Sequence, residues 1–175
     1  MLNVTSPLQR PSSPYEIGGL VLLTAVAVIL AALAFEHIGG YTPCPLCLQQ
    51  RYAYYAGIPA LLAALYLVSV RRPGAAAAIF ALVAIAFLVN AALGTYQAGA
   101  EWGFWAPPAT CSAPGDLPQL NIGQGSLDKM PAGCGIASWR LLGLSFAGWN
   151  VVASLSLAAG AAAAALNAVG ARASR

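Results

Sequence analysis

The 175-residue chain is too apolar for an ordinary soluble domain: 59 % of its residues are hydrophobic and only 7 % are charged. Soluble domains carry about 25 % charged residues. The net charge of +3 comes from scattered basic residues that form no basic stripe, which argues against a nucleic-acid partner. Length and composition predict one membrane domain over residues 1–175.

The first predicted element is a membrane span over residues 17–35, behind a short irregular tail. Its 19 uncharged residues are enough for a helix to cross about 30 Å of hydrocarbon. A cleaved signal peptide is the alternative, with an apolar region of about 7–15 residues behind a positively charged start. Here the apolar stretch is longer, and Arg10 is the only basic residue before it, so we predict a retained helix.

Three further apolar stretches predict three more membrane-spanning helices. They cover residues 52–70, 75–97 and 141–166. Two polar connections, here called the outer loops, cover residues 36–51 and 98–140. Small residues in the last two spans favour close helix packing. The predicted fold is all-α, an integral membrane four-helix bundle whose two outer loops each carry a cysteine pair.

The distribution of basic residues predicts the orientation of these spans. Four spans place both termini and the turn between the second and third spans on one side. That side holds five of the eight basic residues: Arg10, Arg71, Arg72, Arg172 and Arg175. By the positive-inside rule this side is cytoplasmic, so all four cysteines are expected on the opposite, oxidising side of the membrane.

The first outer loop contains the motif Cys44-Pro45-Leu46-Cys47, followed by Arg51. Proline is favoured at the first helical position, so we expect Cys44 to be the N-cap and Cys47 to lie in the first turn. There the helix dipole and free N–H groups favour a thiolate, and Arg51 shares the helical face of Cys47. A rise of 1.5 Å per residue puts Cys47 about 4.5 Å deeper than Cys44. Cys47 would then meet a membrane-soluble electron acceptor, and Cys44 a protein disulfide.

The second outer loop contains Cys111 in a proline-rich stretch and Cys134 between two glycines. Four cysteines on this side of the membrane allow two structural disulfides, a zinc site or redox catalysis. The wide separation of Cys111 and Cys134 differs from the paired Cys-x-x-Cys motifs of a zinc ribbon. A Cys-x-x-Cys disulfide is short and commonly reducible. The pattern therefore favours redox catalysis without a metal.

Other polar residues in or near the spans have structural interpretations. Asn90, within the third span, is expected to make an interhelical hydrogen bond, and Gln49 and Gln50 to solvate the start of the second helix. Aromatic residues near the outer ends of the spans are typical of an interfacial belt. Gln97 and Glu101 lie near the expected level of the electron acceptor, where proton handling is an alternative to a structural role.

In its motifs the chain resembles the bacterial disulfide bond formation protein B (DsbB) family. The resemblance covers essentially the whole chain. It rests on four spans with both termini inside, on Cys44-Pro45-Leu46-Cys47 before the second span with Arg51 four residues later, and on a second cysteine pair in the long outer loop. The run Glu101-Trp102-Gly103-Phe104-Trp105 is not part of the family motif.

The resemblance implies a thiol oxidase of the bacterial inner membrane that uses a quinone, either ubiquinone or menaquinone. It implies that Cys111 is attacked by a reduced periplasmic dithiol oxidase of thioredoxin fold (DsbA-like), and that Cys134 exchanges with Cys44. Cys47 would then pass electrons to a quinone held beside Arg51. The alternatives are a quinone-linked reductase of the vitamin K epoxide reductase type and a non-catalytic membrane protein with structural disulfides.

Overall fold

Four long helices make up most of the computed structural model, which describes residues 13–107, residue 111 and residues 134–173. They are α1 (Pro14–His37), α2 (Pro45–Ser69), α3 (Pro73–Glu101) and α4 (Phe146–Ala173). Each is long and apolar enough to cross a membrane. The predicted all-α membrane bundle is therefore confirmed. The predicted N-terminal tail up to residue 12 lies outside the described residues, as do residues 108–110 and 112–133 of the second outer loop.

The fourth helix begins later than predicted, at residue 146 instead of 141, because a short hairpin precedes it. Arg140–Leu141 (β1) pairs antiparallel with Leu144–Ser145 (β2). The two residues between the strands, Leu142 and Gly143, have positive φ angles of 53° and 83°. Positive φ at both positions is a feature of the type I′ hairpin turn. Leucine is unusual at the first of these positions, where asparagine, aspartate or glycine is preferred. For that reason the hairpin was not predicted from the sequence.

Side chains cap the starts of the first two helices. The Ser13 hydroxyl accepts from the Glu16 backbone N–H, and the Glu16 carboxylate accepts from the Ser13 N–H, which forms a capping box. At α2 the N-cap is Cys44, whose Sγ accepts from the Cys47 backbone N–H at 3.2 Å. The expected placement of Cys44 before the helix and Cys47 in its first turn is therefore confirmed.

The bundle is held together by small residues and a few large buried side chains. Helix α3 packs most extensively against α4, and Gly94 lies so close to α4 that a Cβ would come within 2.9 Å of Val151 Cγ2. Phe80 and Phe87 are fully buried in the core. Outside, large side chains such as Leu82 remain 65 % exposed, which gives the bundle a surface suited to lipid.

The cysteines, the start of α2 and the end of α3 lie at one end of the bundle, which we call the cysteine end. Gln97, near the end of α3, contacts Cys47 in the first turn of α2. Arg140, just before α4, donates to the Glu101 carbonyl at the end of α3. The connection between α2 and α3, with Arg71 and Arg72, is at the opposite end.

Two adjacent glycines in α1 allow a matched test of this packing. A Cβ on Gly18 would lie 2.6 Å from Phe80 Cζ and 3.0 Å from Leu65 Cδ2, whereas a Cβ on Gly19 would meet nothing within 4 Å. Gly18→Ala should therefore destabilise the protein by about 1–3 kcal/mol. Gly19→Ala should be neutral or slightly stabilising, because alanine is the better helix former. Thermal unfolding in detergent measures both, and equal melting temperatures would contradict the close approach of Gly18 to Phe80 and Leu65.

Candidate active site

All four cysteines lie in one cluster at the cysteine end. Cys44 and Cys47 form one disulfide, with Cα atoms 5.0 Å apart, and Cys111 and Cys134 form the other, at 5.6 Å. Cys44, Leu46 and Cys134 are buried together, and Cys47 and Cys111 pack against them. Cys134 is only 1 % exposed, while Cys111 is partly exposed. The folded chain therefore brings the disulfide of the second outer loop onto the disulfide at the start of α2.

Gln97 is the side chain that contacts both sulfurs of the first disulfide. Its Nε2 lies 3.3 Å from Cys47 Sγ and 3.5 Å from Cys44 Sγ. The same nitrogen donates to Glu101 Oε1 at 3.2 Å, while Glu101 Oε2 is buried with no hydrogen-bond partner among the described residues. Both residues of α3 that were expected near the level of the electron acceptor thus lie beside the disulfide.

Gln50 is buried, so the expectation that it solvates the helix start is wrong. Only 5 % of its surface is exposed. Its Nε2 donates to Gln97 Oε1 at 2.7 Å, and its Oε1 accepts from Asn150 Nδ2 on α4 at 2.6 Å. Gln50 follows Cys47 by three residues and therefore shares its helical face, a signal that the sequence did contain. The side chain links α2 to α3 and α4.

The polar contacts continue deeper into the bundle. Asn150 Oδ1 accepts from the Tyr54 hydroxyl at 2.8 Å. Asn90 Nδ2 donates to Ser154 Oγ on α4 at 2.9 Å, which confirms the predicted interhelical hydrogen bond. Sequence reasoning missed Asn150 and Ser154, although their spacing of four residues in an otherwise apolar span puts them on one helical face.

Arg51 lies on the same side of α2 as Cys47, and both line one cavity. The Arg51 guanidinium forms an ion pair with the Glu36 carboxylate at the end of α1. The two side chains are only 12 % and 25 % exposed, so the pair is largely removed from water. Sequence reasoning did not identify Glu36 as a partner, because the contact between α1 and α2 is tertiary.

The cavity has a volume of about 390 Å³. Its walls are mostly apolar, with residues of α1 and α4 such as Val28, Ile29 and Ala153. Polar groups meet at its cysteine end: Glu36, Cys44, Cys47, Gln50, Arg51, Gln97 and Glu101. An apolar cavity with a few convergent polar groups is typical of a small-molecule site.

Aromatic rings also line this cavity. Trp139 stacks on Phe146 with ring centroids 4.7 Å apart, and Phe35 packs edge-on against Phe146 at 5.0 Å. Tyr41 contacts both Phe35 and Phe146. Tyr41 and Trp139, two of the aromatic residues near the outer ends of the spans, both lie in the wall of the cavity, where flat rings can pack against a flat ligand.

Comparisons with known proteins identify the family of the chain. The family model described as disulfide bond formation protein DsbB matches residues 16–164. Disulfide bond formation protein B of Marinobacter nauticus is 34 % identical over 77 % of this chain and 81 % of that protein. Disulfide bond formation protein B of Verminephrobacter eiseniae is 31 % identical over 79 % and 78 %. An uncharacterized protein of Rickettsia prowazekii is 30 % identical over 82 % and 83 %.

No solved structure gives a significant match to the chain. The family match nevertheless spans all four helices, from the first turn of α1 to the last part of α4. With its four membrane-spanning helices and two cysteine pairs, the chain belongs to the DsbB family of membrane proteins for disulfide bond formation.

Proposed function

We propose that this protein is a protein-disulfide:quinone oxidoreductase. It reoxidises a reduced periplasmic dithiol oxidase of the DsbA type and passes the electrons to a quinone, ubiquinone or menaquinone. The observation that carries the proposal is the packing of both disulfides into one cluster, with the first disulfide lining an apolar cavity. Such a cluster can receive electrons from a protein and deliver them to a lipid-soluble acceptor.

The residues of the cavity fit a quinone. Apolar walls suit its ring and isoprenoid tail, and the aromatic rings of Trp139 and Phe146 offer flat surfaces. The Arg51 guanidinium at the polar end can donate hydrogen bonds to a quinone carbonyl. A quinone bound there would supply an acceptor for two electrons and two protons beside Cys47.

The first half of the reaction takes place at the second disulfide. A partner thiolate attacks Cys111 Sγ, so that a mixed disulfide forms, the Cys111–Cys134 bond breaks and the electron pair moves to Cys134. The second thiol of the partner, after losing its proton, displaces Cys111 and leaves as the oxidised disulfide. Attack at Cys111 is favoured by exposure, because Cys134 is buried.

The second half connects the two disulfides. The Cys134 thiolate attacks Cys44 Sγ, which lies in the same buried cluster. A Cys44–Cys134 bond forms, the Cys44–Cys47 bond breaks, and the electron pair leaves on Cys47 as a thiolate. Arg51 and the Gln97 amide favour this charge. Cys111, still reduced, then attacks Cys134, restores the second disulfide and leaves the electron pair on Cys44, so that the first pair is reduced beside the cavity.

We further propose that the cysteine end faces the periplasm and that both termini are cytoplasmic, in the inner membrane. Arg71 and Arg72, at the opposite end of the bundle from the cysteines, support this orientation through the positive-inside rule. Labelling with a membrane-impermeant thiol reagent, after reduction of intact cells, measures it. Unlabelled cysteines would contradict the orientation.

A turnover assay tests the function. Purified protein mixed with a reduced DsbA-type oxidase and ubiquinone should oxidise the partner and consume the quinone in equal amounts. Absence of quinone reduction would exclude the oxidase, and net flow from quinol to the partner disulfide would indicate a quinone-linked reductase. If the disulfides are only structural, a mild reductant should fail to open Cys44–Cys47 in the folded protein.

Arg51→Lys tests the role of the guanidinium. Lysine keeps the charge but loses the planar, multiple-donor geometry of arginine. We expect the apparent KM for quinone to rise about tenfold, equivalent to ~1.4 kcal/mol, which is close to the lower end of the range for a hydrogen bond to a charged group. Disulfide exchange with the partner should persist. An unchanged KM would argue against Arg51 as a quinone-binding residue.

A further inference from the structure

Four side chains, of which only Asn150 is partly exposed, form a continuous line of hydrogen bonds that ends at the first disulfide. The Tyr54 hydroxyl donates to Asn150 Oδ1 at 2.8 Å, and Asn150 Nδ2 donates to Gln50 Oε1 at 2.6 Å. Gln50 Nε2 donates to Gln97 Oε1 at 2.7 Å, and Gln97 Nε2 lies 3.3 Å from Cys47 Sγ. We call these four residues the donor chain, because every donor in it points toward the sulfur.

The groups around Gln97 set the direction of the donor chain. Gln97 Nε2 faces Glu101 Oε1 and two sulfurs, and all three are acceptors. Reversing this amide would place its oxygen against the Glu101 carboxylate oxygen. With Gln97 Oε1 as an acceptor, the shared hydrogen bonds set Gln50 Nε2 and then Asn150 Nδ2 as donors, which leaves Asn150 Oδ1 to accept from the Tyr54 hydroxyl.

Because most of the donor chain is buried, its direction affects how well the Gln97 N–H stabilises negative charge on Cys47. Tyr54, Gln50 and Gln97 are each 3–5 % exposed, and the helices around them are apolar. In such surroundings hydrogen bonds are stronger than in water, and bonds in a chain polarise one another by roughly 10–30 % each. Each donor upstream therefore makes the Gln97 N–H a better donor to negative charge on Cys47.

We propose that Tyr54, Asn150 and Gln50 are positioning residues that act through Gln97 to favour reduction of the Cys44–Cys47 disulfide. The inference rests on the proposed function of this disulfide. When the Cys134 thiolate attacks Cys44, the Cys44–Cys134 bond forms, the Cys44–Cys47 bond breaks and the electron pair leaves on Cys47. A donor chain aimed at Cys47 stabilises this leaving thiolate, which raises the reduction potential of the first disulfide and speeds the exchange.

A redox titration of the first disulfide tests the proposal without quinone or partner. The full chain carries Cys111→Ser and Cys134→Ser, so that only Cys44 and Cys47 titrate, and is equilibrated with glutathione buffers. Alkylation and mass spectrometry give the reduced fraction. The series then adds single substitutions at increasing distance from the sulfur: Gln50→Leu, Asn150→Leu and Tyr54→Phe.

Each break in the donor chain should make the disulfide harder to reduce, and the effect should fall with distance. We expect the equilibrium constant for reduction to fall about tenfold for Gln50→Leu, equivalent to ~30 mV. Asn150→Leu should cost about threefold, or ~15 mV, and Tyr54→Phe about twofold, or ~9 mV. Tyr55→Phe is the matched control. It makes the same change one residue later, on a side chain that is 50 % exposed, and should shift nothing.

The outcomes separate this inference from the proposed function. Potentials that are equal in the parent and in the Gln50→Leu and Tyr54→Phe variants would overturn the donor chain, even with normal quinone turnover in the unsubstituted protein. An equal shift in Tyr55→Phe would do the same. Absent quinone turnover would refute the proposed function and leave the titration valid. If Asn150→Leu fails to fold, Tyr54→Phe decides, because it removes a single oxygen atom.

Discussion

Cys47→Ser is expected to abolish quinone reduction, with a loss of at least about a thousandfold, equivalent to ~4 kcal/mol of activation free energy. The reason is chemical, because a serine hydroxyl cannot form the disulfide or carry the electron pair as a thiolate. The position also matters, because Cys47 lines the cavity beside Arg51 and receives the Gln97 N–H. Absorbance of the quinone during turnover measures the loss.

The same variant contains its own control. The Cys111–Cys134 disulfide does not involve Cys47, so Cys47→Ser should still oxidise about one equivalent of the reduced partner and then stop. A burst of partner oxidation without quinone consumption is therefore the expected signature. Sustained quinone reduction in this variant would remove Cys47 from the proposed electron path.

Cys111→Ser is expected to have an equally large effect at the other half of the reaction. Partner oxidation should fall by about a thousandfold or more, because the partly exposed sulfur is lost and Cys134 is only 1 % exposed. Cys44–Cys47 should still form. A small dithiol such as dithiothreitol should still drive quinone reduction, because it can reach the first disulfide without the second outer loop.

Cys134→Ser is the matched variant for Cys111→Ser. It leaves the partly exposed Cys111 as a free thiol, which can attack the disulfide of an oxidised partner: a bond between Cys111 and the partner forms, the partner disulfide breaks and the electron pair goes to the partner's second cysteine. The partner trapped on Cys111 in this way should be visible in a non-reducing gel. Normal partner turnover in Cys111→Ser, or a trapped partner in that variant, would reverse the assigned order of the two cysteines. Together, the variants at positions 47, 111 and 134 distinguish the half of the proposed reaction that involves the partner protein from the half that involves the quinone.

The ion pair with Glu36 restricts the position of the Arg51 guanidinium in the cavity. Both side chains are largely removed from water, and a partly buried charge is costly when its partner is lost. Glu36 thereby holds the guanidinium at the polar end of the cavity, near the first turn of α2. The acidic residue and the basic residue come from different helices, so the packing of α1 against α2 positions the donor proposed for the quinone.

The features that depend on neighbouring residues could be predicted from the sequence. The four spans follow from the length of the uncharged stretches, because crossing hydrocarbon requires a minimum number of apolar residues. The cap at Cys44 and the place of Cys47 in the first turn follow from Pro45, since proline prefers the first helical position. The motif and the order of the cysteines were also sufficient to identify the family resemblance.

Contacts between residues that are distant in the chain are visible only in the folded structure. Cys134 and Cys44 are distant in the chain, and only the folded structure brings them into one buried cluster. Gln50 and Asn150 are 100 residues apart in the chain, and no local pattern pairs them. In a bundle with apolar surroundings a buried amide must find a hydrogen-bond partner wherever the packing offers one. For that reason the spans could be read from the sequence, while the donor chain that ends at Cys47 could not.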